Sequence, residues 1–137
     1  MQISRKPYPI ERILSAGTYF TAGGVGFVWL IIAAFLRKQV TPFLMYHILQ
    51  SFFLSMGFFL FLVLLKFLYN VLSMIPVINI LSTKIFLLFN MSIIYNLSLL
   101  QIFTSSVILY LGITAGLGLY SYLPWVSDII KSNLPNR

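Results

Sequence analysis

The sequence predicts an all-α protein, a polytopic bundle of four transmembrane helices with a short interfacial or re-entrant segment between the second and third. Three observations lead there. Apolar residues make up 60% of the 137 and charged residues only 8%, against roughly 25% charged in a soluble domain. The charges fall in small groups between long uncharged runs, and a run of about 20 apolar residues crosses a bilayer. The basic residues also divide unevenly between the loops on the two sides, as the positive-inside rule expects. A chain with so few charges cannot build a water-facing surface, so its outside faces lipid.

The order of elements follows. Residues 1–12 are a basic tail with Arg5, Lys6 and Arg12. Residues 13–123 form the membrane domain and 124–137 a polar C-terminal tail. Ile13 to Leu36 carries no charge, and as one helix it would be about 36 Å long. A basic tail before an apolar run also describes a signal peptide. Here the run ends on Arg37-Lys38 rather than on small residues, which favours a retained span over 13–36. Thr41-Pro42 opens the second span, over 43–65, because Thr can cap and Pro is tolerated in the first turn.

Lys66 and Lys84 bracket an apolar stretch broken by Asn70, Pro76 and Asn79. It is short for a crossing and reads as interfacial or re-entrant. A single helix from Ile85 to Tyr120 would be about 54 Å long. Two helices therefore fit better, over 80–97 or 85–102 and over 99–120 or 107–123. The polar residues between Tyr95 and Ser106 mark the expected turn. Tyr120, Tyr122 and Trp125 suit the membrane interface. Pro124 ends the last span, and Ser127 can cap a short surface helix carrying Asp128 and Lys131.

Four spans put the two tails and the Lys66/Lys84 loop on one side, with seven basic residues against two, Arg37 and Lys38. Three spans would divide them five to four. The lopsided division selects four spans, with both termini in the cytoplasm or the stroma of a plastid. The formal net charge of +7 has no clustered basic face, so nucleic acid is not an expected partner.

Two kinds of motif stand out. Small residues four apart, Ala22 with Gly26 and Gly112 with Gly116, allow close helix packing in lipid. Tyr46, His47, Gln50 and Ser51 form a polar stripe inside the second span. Intramembrane polar groups are costly and face protein or water. The stripe is therefore either a hydrogen-bonded pair holding helices together or the wall of a polar pathway. No metal, cofactor or catalytic site is expected. His47 has no second His, Cys or carboxylate in its span, and Glu11 and Asp128 lie in opposite tails. Asn90-Met-Ser92 and Asn96-Leu-Ser98 fit the glycosylation pattern but fall in or beside predicted membrane, where they are coincidental.

Three segments together resemble a known family. They are Glu11-Arg12-Ile13-Leu14-Ser15-Ala16-Gly17-Thr18-Tyr19, then Thr41-Pro42-Phe43-Leu44-Met45-Tyr46-His47-Ile48-Leu49-Gln50-Ser51, then Tyr122-Leu123-Pro124-Trp125-Val126-Ser127-Asp128. In this order they resemble the Tic-twenty family, membrane subunits of the protein translocon of the inner chloroplast envelope, and its bacterial relatives. Tyr46, His47, Gln50, Pro124 and Asp128 match the motifs by position, and Met45 stands where the family has Arg. The resemblance implies a four-helix membrane fold without enzyme activity or cofactor. It implies a subunit of a protein-translocation or membrane-assembly complex, in a bacterial cytoplasmic membrane or a plastid inner envelope. Expected partners are the lipid bilayer, other membrane subunits or further copies, and a translocating polypeptide. The alternative is a small structural or regulatory bacterial membrane protein with no transport role.

Overall fold

The computed structural model describes residues 6–133, apart from the side chains of Ile94 and Lys131. Arg5 and Arg137 lie outside that range. The chain forms two compact units, one joining residues 1–56 to 108–137, the other comprising residues 57–107. The described residues are mainly helical, with one two-stranded hairpin.

The first unit opens with α1, Pro9–Phe20. Pro9 suits the first helical position. The Glu11 carboxylate reaches back to accept from the Tyr8 N–H at 3.0 Å, and its charge favours a helix start. α1 stops because Ala22 and Gly23 take positive φ, 52° and 91°. Gly23 N–H then donates to the Thr18 carbonyl and Ala22 N–H to Tyr19, the paired bonds of a Schellman cap. α2, Gly24–Phe35, folds straight back. A Cβ placed on Gly26 would lie 2.7 Å from Thr18 Cγ2, although residues eight apart in one helix would be about 12 Å apart.

α3, Pro42–Ser73, begins beside Thr41, whose Oγ1 accepts from the Leu44 N–H at 3.5 Å. Its N-terminal part belongs to the first unit, as does the C-terminal part of α5, Leu99–Gly116. α5 runs antiparallel to α1. Gly112 faces Phe20, Gly116 faces Ala16, and Gly118 lies under Pro7 and Arg12. Gly118 has φ 79° and closes α5 with a second Schellman pair, Leu119 to Thr114 and Gly118 to Ala115. The Arg12 guanidinium thus sits at the negative end of the α5 dipole. The short helix α6, Val126–Asn133, completes the unit and buries Ile130.

The second unit holds the rest of α3, then α4, Pro76–Asn90. α3 gives way to α4 at Ile75, which is extended (φ −96°, ψ 115°) as a residue before Pro prefers. Tyr69 and Phe86 stack with centroids 4.3 Å apart. β1, Ser92–Ile94, pairs antiparallel with β2, Leu97–Ser98. Tyr95 and Asn96 both have positive φ, the mark of a two-residue hairpin turn. Ser98 and Gln101 then cap α5 reciprocally. Ser98 N–H donates to Gln101 Oε1 at 2.9 Å and Gln101 N–H to Ser98 Oγ at 3.3 Å, a capping box.

Among the described residues, α3 and α5 are long and apolar enough to cross a membrane, while α2 and α4 are apolar but shorter. Several expected boundaries therefore change. The continuous helix over 13–36 is a hairpin of two 12-residue helices, each about 18 Å long, because Gly23 supplies the left-handed turn. The second span does not end at Leu65. α3 runs on to Ser73, since nothing before Pro76 breaks it. Residues 80–97 and 85–102 are not one helix, because the hairpin interrupts both. The turn sits at Tyr95-Asn96, and Gln101 to Ser106 are helical. The hydroxyls of Thr104 and Ser106 bond back to the carbonyls of Leu100 and Ile102, so they need no water. α5 also stops at Gly116, short of both 120 and 123. Ala22 and Gly26 do not share a helix, since Ala22 lies in the turn.

The glycines separate by the room around them. A Cβ on Gly26 would lie within 3.0 Å of Thr18 and Ile48 atoms, one on Gly112 would touch Phe20 at 3.0 Å, and one on Gly116 would meet only Ala16 Cβ at 4.0 Å. Gly26→Ala is expected to lower stability by about 1–3 kcal/mol through overpacking. Gly112→Ala should cost less, because the Phe20 ring edge can move, and Gly116→Ala should be nearly neutral. Thermal unfolding of the three variants in detergent checks this order.

Candidate functional site: a buried polar cluster

The stripe on α3 faces inward. Tyr46, His47 and Gln50 are each 0% exposed and Ser51 is 1% exposed. Spacings of three and four place Tyr46, His47 and Gln50 over one another on the helix. They meet Tyr19 from α1 and Ser121 and Ser127 from the C-terminal segment, all buried.

The Gln50 amide is the hub. Tyr19 O–H donates to Gln50 Oε1 at 2.7 Å and Ser121 O–H donates to the same oxygen at 2.9 Å. Gln50 Nε2 donates to Ser127 Oγ at 3.2 Å and to the Ser121 carbonyl at 3.3 Å. Tyr46 O–H donates to the Ser121 carbonyl at 2.7 Å, and Ser127 Oγ lies 2.9 Å from the same phenol oxygen. Ser127 Oγ also accepts from the Leu123 N–H at 2.7 Å. It is the second residue of α6, so it does not cap the helix as expected but ties the preceding turn into the cluster.

His47 Nδ1 lies 2.8 Å from the Tyr19 oxygen. Which of the two atoms donates depends on the imidazole tautomer. His47 Nε2 is buried without a hydrogen-bond partner, as is Ser15 Oγ one turn before Tyr19. The imidazole is held by rings. Phe43 meets it edge-on at 4.6 Å, Tyr46 edge-on at 5.4 Å, and Tyr120 stacks at 6.1 Å. Ser51 stands apart from the network. Its hydroxyl bonds to the Ile48 carbonyl and its own carbonyl accepts from Ser55.

The remaining sequence-selected residues are spread more widely. Gly26 packs under Ile48, beside the cluster, and Gly112 and Gly116 lie along α1. Pro124 and Asp128 are exposed. Asp128 accepts from the Tyr122 hydroxyl at 3.1 Å. That bond, then the carboxylate charge, push the Tyr122 hydroxyl above its ordinary pKa because both favour the protonated phenol. Tyr19 and Ser121 were not selected from the sequence. Ser15, Thr18 and Tyr19 share a helix face three and four apart, a polar stripe that matches the one on α3. Ser121 carried no local signal.

The cluster's donors and acceptors are mainly engaged with one another, and it ties α1, α3 and the C-terminal segment into one body. No group of three His, Cys, Asp or Glu side chains comes together among the described residues.

Removing the hub should hurt most. Gln50→Leu leaves the Tyr19 and Ser121 hydroxyls without their acceptor, and is expected to destabilise by about 2–3 kcal/mol. His47→Leu removes only one bond to Tyr19 and should cost about 1 kcal/mol. Tyr46→Phe should release residues 120–133, seen as faster amide exchange there than in α1. Unfolding in detergent and exchange mass spectrometry read all three.

The chain matches no protein-family model, no curated protein and no solved structure.

Proposed function

We propose that the chain is a non-enzymatic integral membrane protein, a subunit of a protein-translocation or membrane-assembly complex. Its membrane would be a bacterial cytoplasmic membrane or a plastid inner envelope. The single observation behind the membrane part is the outward apolar surface of α3. Phe52, Phe53, Met56, Phe59 to Leu64, Phe67 and Leu68 are all exposed, on a helix long enough to cross. Water would oppose that surface and lipid would not. The complex-subunit part rests on the resemblance carried by Tyr46, His47, Gln50, Pro124 and Asp128. Lipid, other subunits or further copies, and a polypeptide in transit are the partners, without nucleic acid.

In this reading the four expected spans give way to two crossings, α3 and α5. α3 and α5 are complete crossings. α1 and α2 dip into the bilayer from the same side and return. Their turn can lie in hydrocarbon because Thr21 Oγ1 donates to the Gly17 carbonyl and accepts from the Val25 N–H, leaving that hydroxyl no need of water. α3 starts and α5 ends at the same place, where Tyr46 meets Ser121. With α3 and α5 both crossing, the chain returns to the side it started from. The hairpin's open strand edges also belong outside hydrocarbon. The positive-inside rule supports termini in the cytoplasm or stroma.

The internal use of the α3 stripe favours the second reading, a structural or regulatory protein, over a pore wall formed by this chain alone. Gentle solubilisation of the native membrane and recovery of the chain decides between them. Recovery with other membrane subunits and a polypeptide in transit supports the complex. Recovery of the chain alone supports the structural role. For topology, cysteines placed at Gln39 and at Met1 should be labelled from the same side. Labelling of Gln39 from the far side would restore a full crossing over 13–36.

A further inference from the structure

The C-terminal segment presents two opposite faces. Ser121, Ser127 and Ile130 point inward and are buried. Tyr122, Trp125 and Ile129 point outward, and Trp125 is 82% exposed. Trp125 is also held at φ 64°, a left-handed conformation uncommon for a bulky residue. That conformation costs on the order of 1 kcal/mol or more and persists only where the surroundings enforce it. Here they do. Ser121 and Ser127, on either side of Trp125, are locked to Tyr46 and Gln50. Val126 N–H closes the turn on the Pro124 carbonyl at 2.8 Å. The indole is thereby fixed outward, in a position that contributes nothing to the core.

We propose that Tyr122, Trp125 and Ile129 are an interfacial anchor that seats the chain in the headgroup region of an anionic bilayer. The proposal rests on α5 being a membrane crossing. Position argues for lipid, because Trp125 lies nine residues past the end of α5 at Gly116 in a segment bonded back to Tyr46 and Gln50 near the start of α3. Side-chain chemistry argues the same way, since Trp and Tyr have an apolar ring and a polar edge suited to the interface. Charge complements it. Among the described residues, the unit that carries this segment holds Lys6, Arg12, Arg37, Lys38 and Lys131 against Glu11 and Asp128, and anionic headgroups attract such a surface. Tyr122 enters the interface with its hydroxyl already bonded to Asp128.

The test uses the full chain carrying Trp29→Phe, so that Trp125 is the one indole. The protein is reconstituted into phosphatidylcholine–phosphatidylglycerol vesicles whose acyl chains are brominated either near the headgroup or near the terminal methyl. Trp125 emission should be quenched about twofold or more strongly by the shallow label than by the deep one. Adding Tyr46→Phe, which loosens the segment without touching its outer face, should weaken that difference. Chain incorporated in vesicles but quenched by neither label overturns the anchor and leaves the membrane reading standing. Stronger quenching by the deep label also overturns it. Chain that stays in the alkaline carbonate supernatant overturns both readings.

Discussion

The first unit depends on one amide. Gln50 lies on α3 and is fully buried, and its two ends hold α1 through Tyr19 and the C-terminal segment through Ser121 and Ser127. In a medium without water every polar group must find its partner inside the protein. A glutamine offers both two donors and an acceptor oxygen with two lone pairs, so one side chain can join segments that present hydroxyls and carbonyls alike. A leucine there would fit the apolar surroundings but take away the partner shared by Tyr19, Ser121 and Ser127, leaving only the Tyr46 and His47 bonds to align the three segments. Apolar packing alone aligns helices weakly when lipid is as apolar as the helices. The directional bonds set the register, and Gly26 and Gly112 let the backbones come close enough to make them.

The same constraint shapes the helix ends. Three of them close on left-handed residues, Ala22, Arg37 and Gly118, with Schellman pairs that satisfy carbonyls internally. This lets α1 and α2 turn back within a few residues and lets α5 stop sharply above Arg12. At the start of α5 the work is done by Ser98 and Gln101 in place of water. Helix ends that would otherwise need solvent are thus completed by the chain itself.

What the sequence revealed and what it hid follow from this. Uncharged runs identify apolar helices well, and α3 begins where Thr41-Pro42 said it would. The inward face of Tyr46, His47 and Gln50 is the kind of arrangement that the cost of polar groups in lipid requires. Hydropathy, however, cannot see a corner whose polar groups are self-satisfied. Thr21-Ala22-Gly23-Gly24 is as uncharged as a span, and only the glycine pair marks a break. Likewise Gln101 to Ser106 looked like a turn by polarity, yet the hydroxyls of Thr104 and Ser106 bond to their own helix. The Tyr19 and Ser121 partners were harder still. They are separated from Gln50 by 31 and 71 residues, and no local pattern reports so distant a pairing.

That separation has a consequence for how the protein is made. The Tyr46 bond to Ser121 joins residues 75 apart, and a chain emerges N-terminus first. The α1–α2 corner and the first turns of α3 are therefore complete long before Ser121 and Ser127 exist. During that interval Gln50 and Tyr46 sit in an apolar setting with open hydrogen-bonding positions, and only Tyr19 and His47 are at hand to fill some of them. Until then the network is incomplete, and the C-terminal segment is the part that completes it.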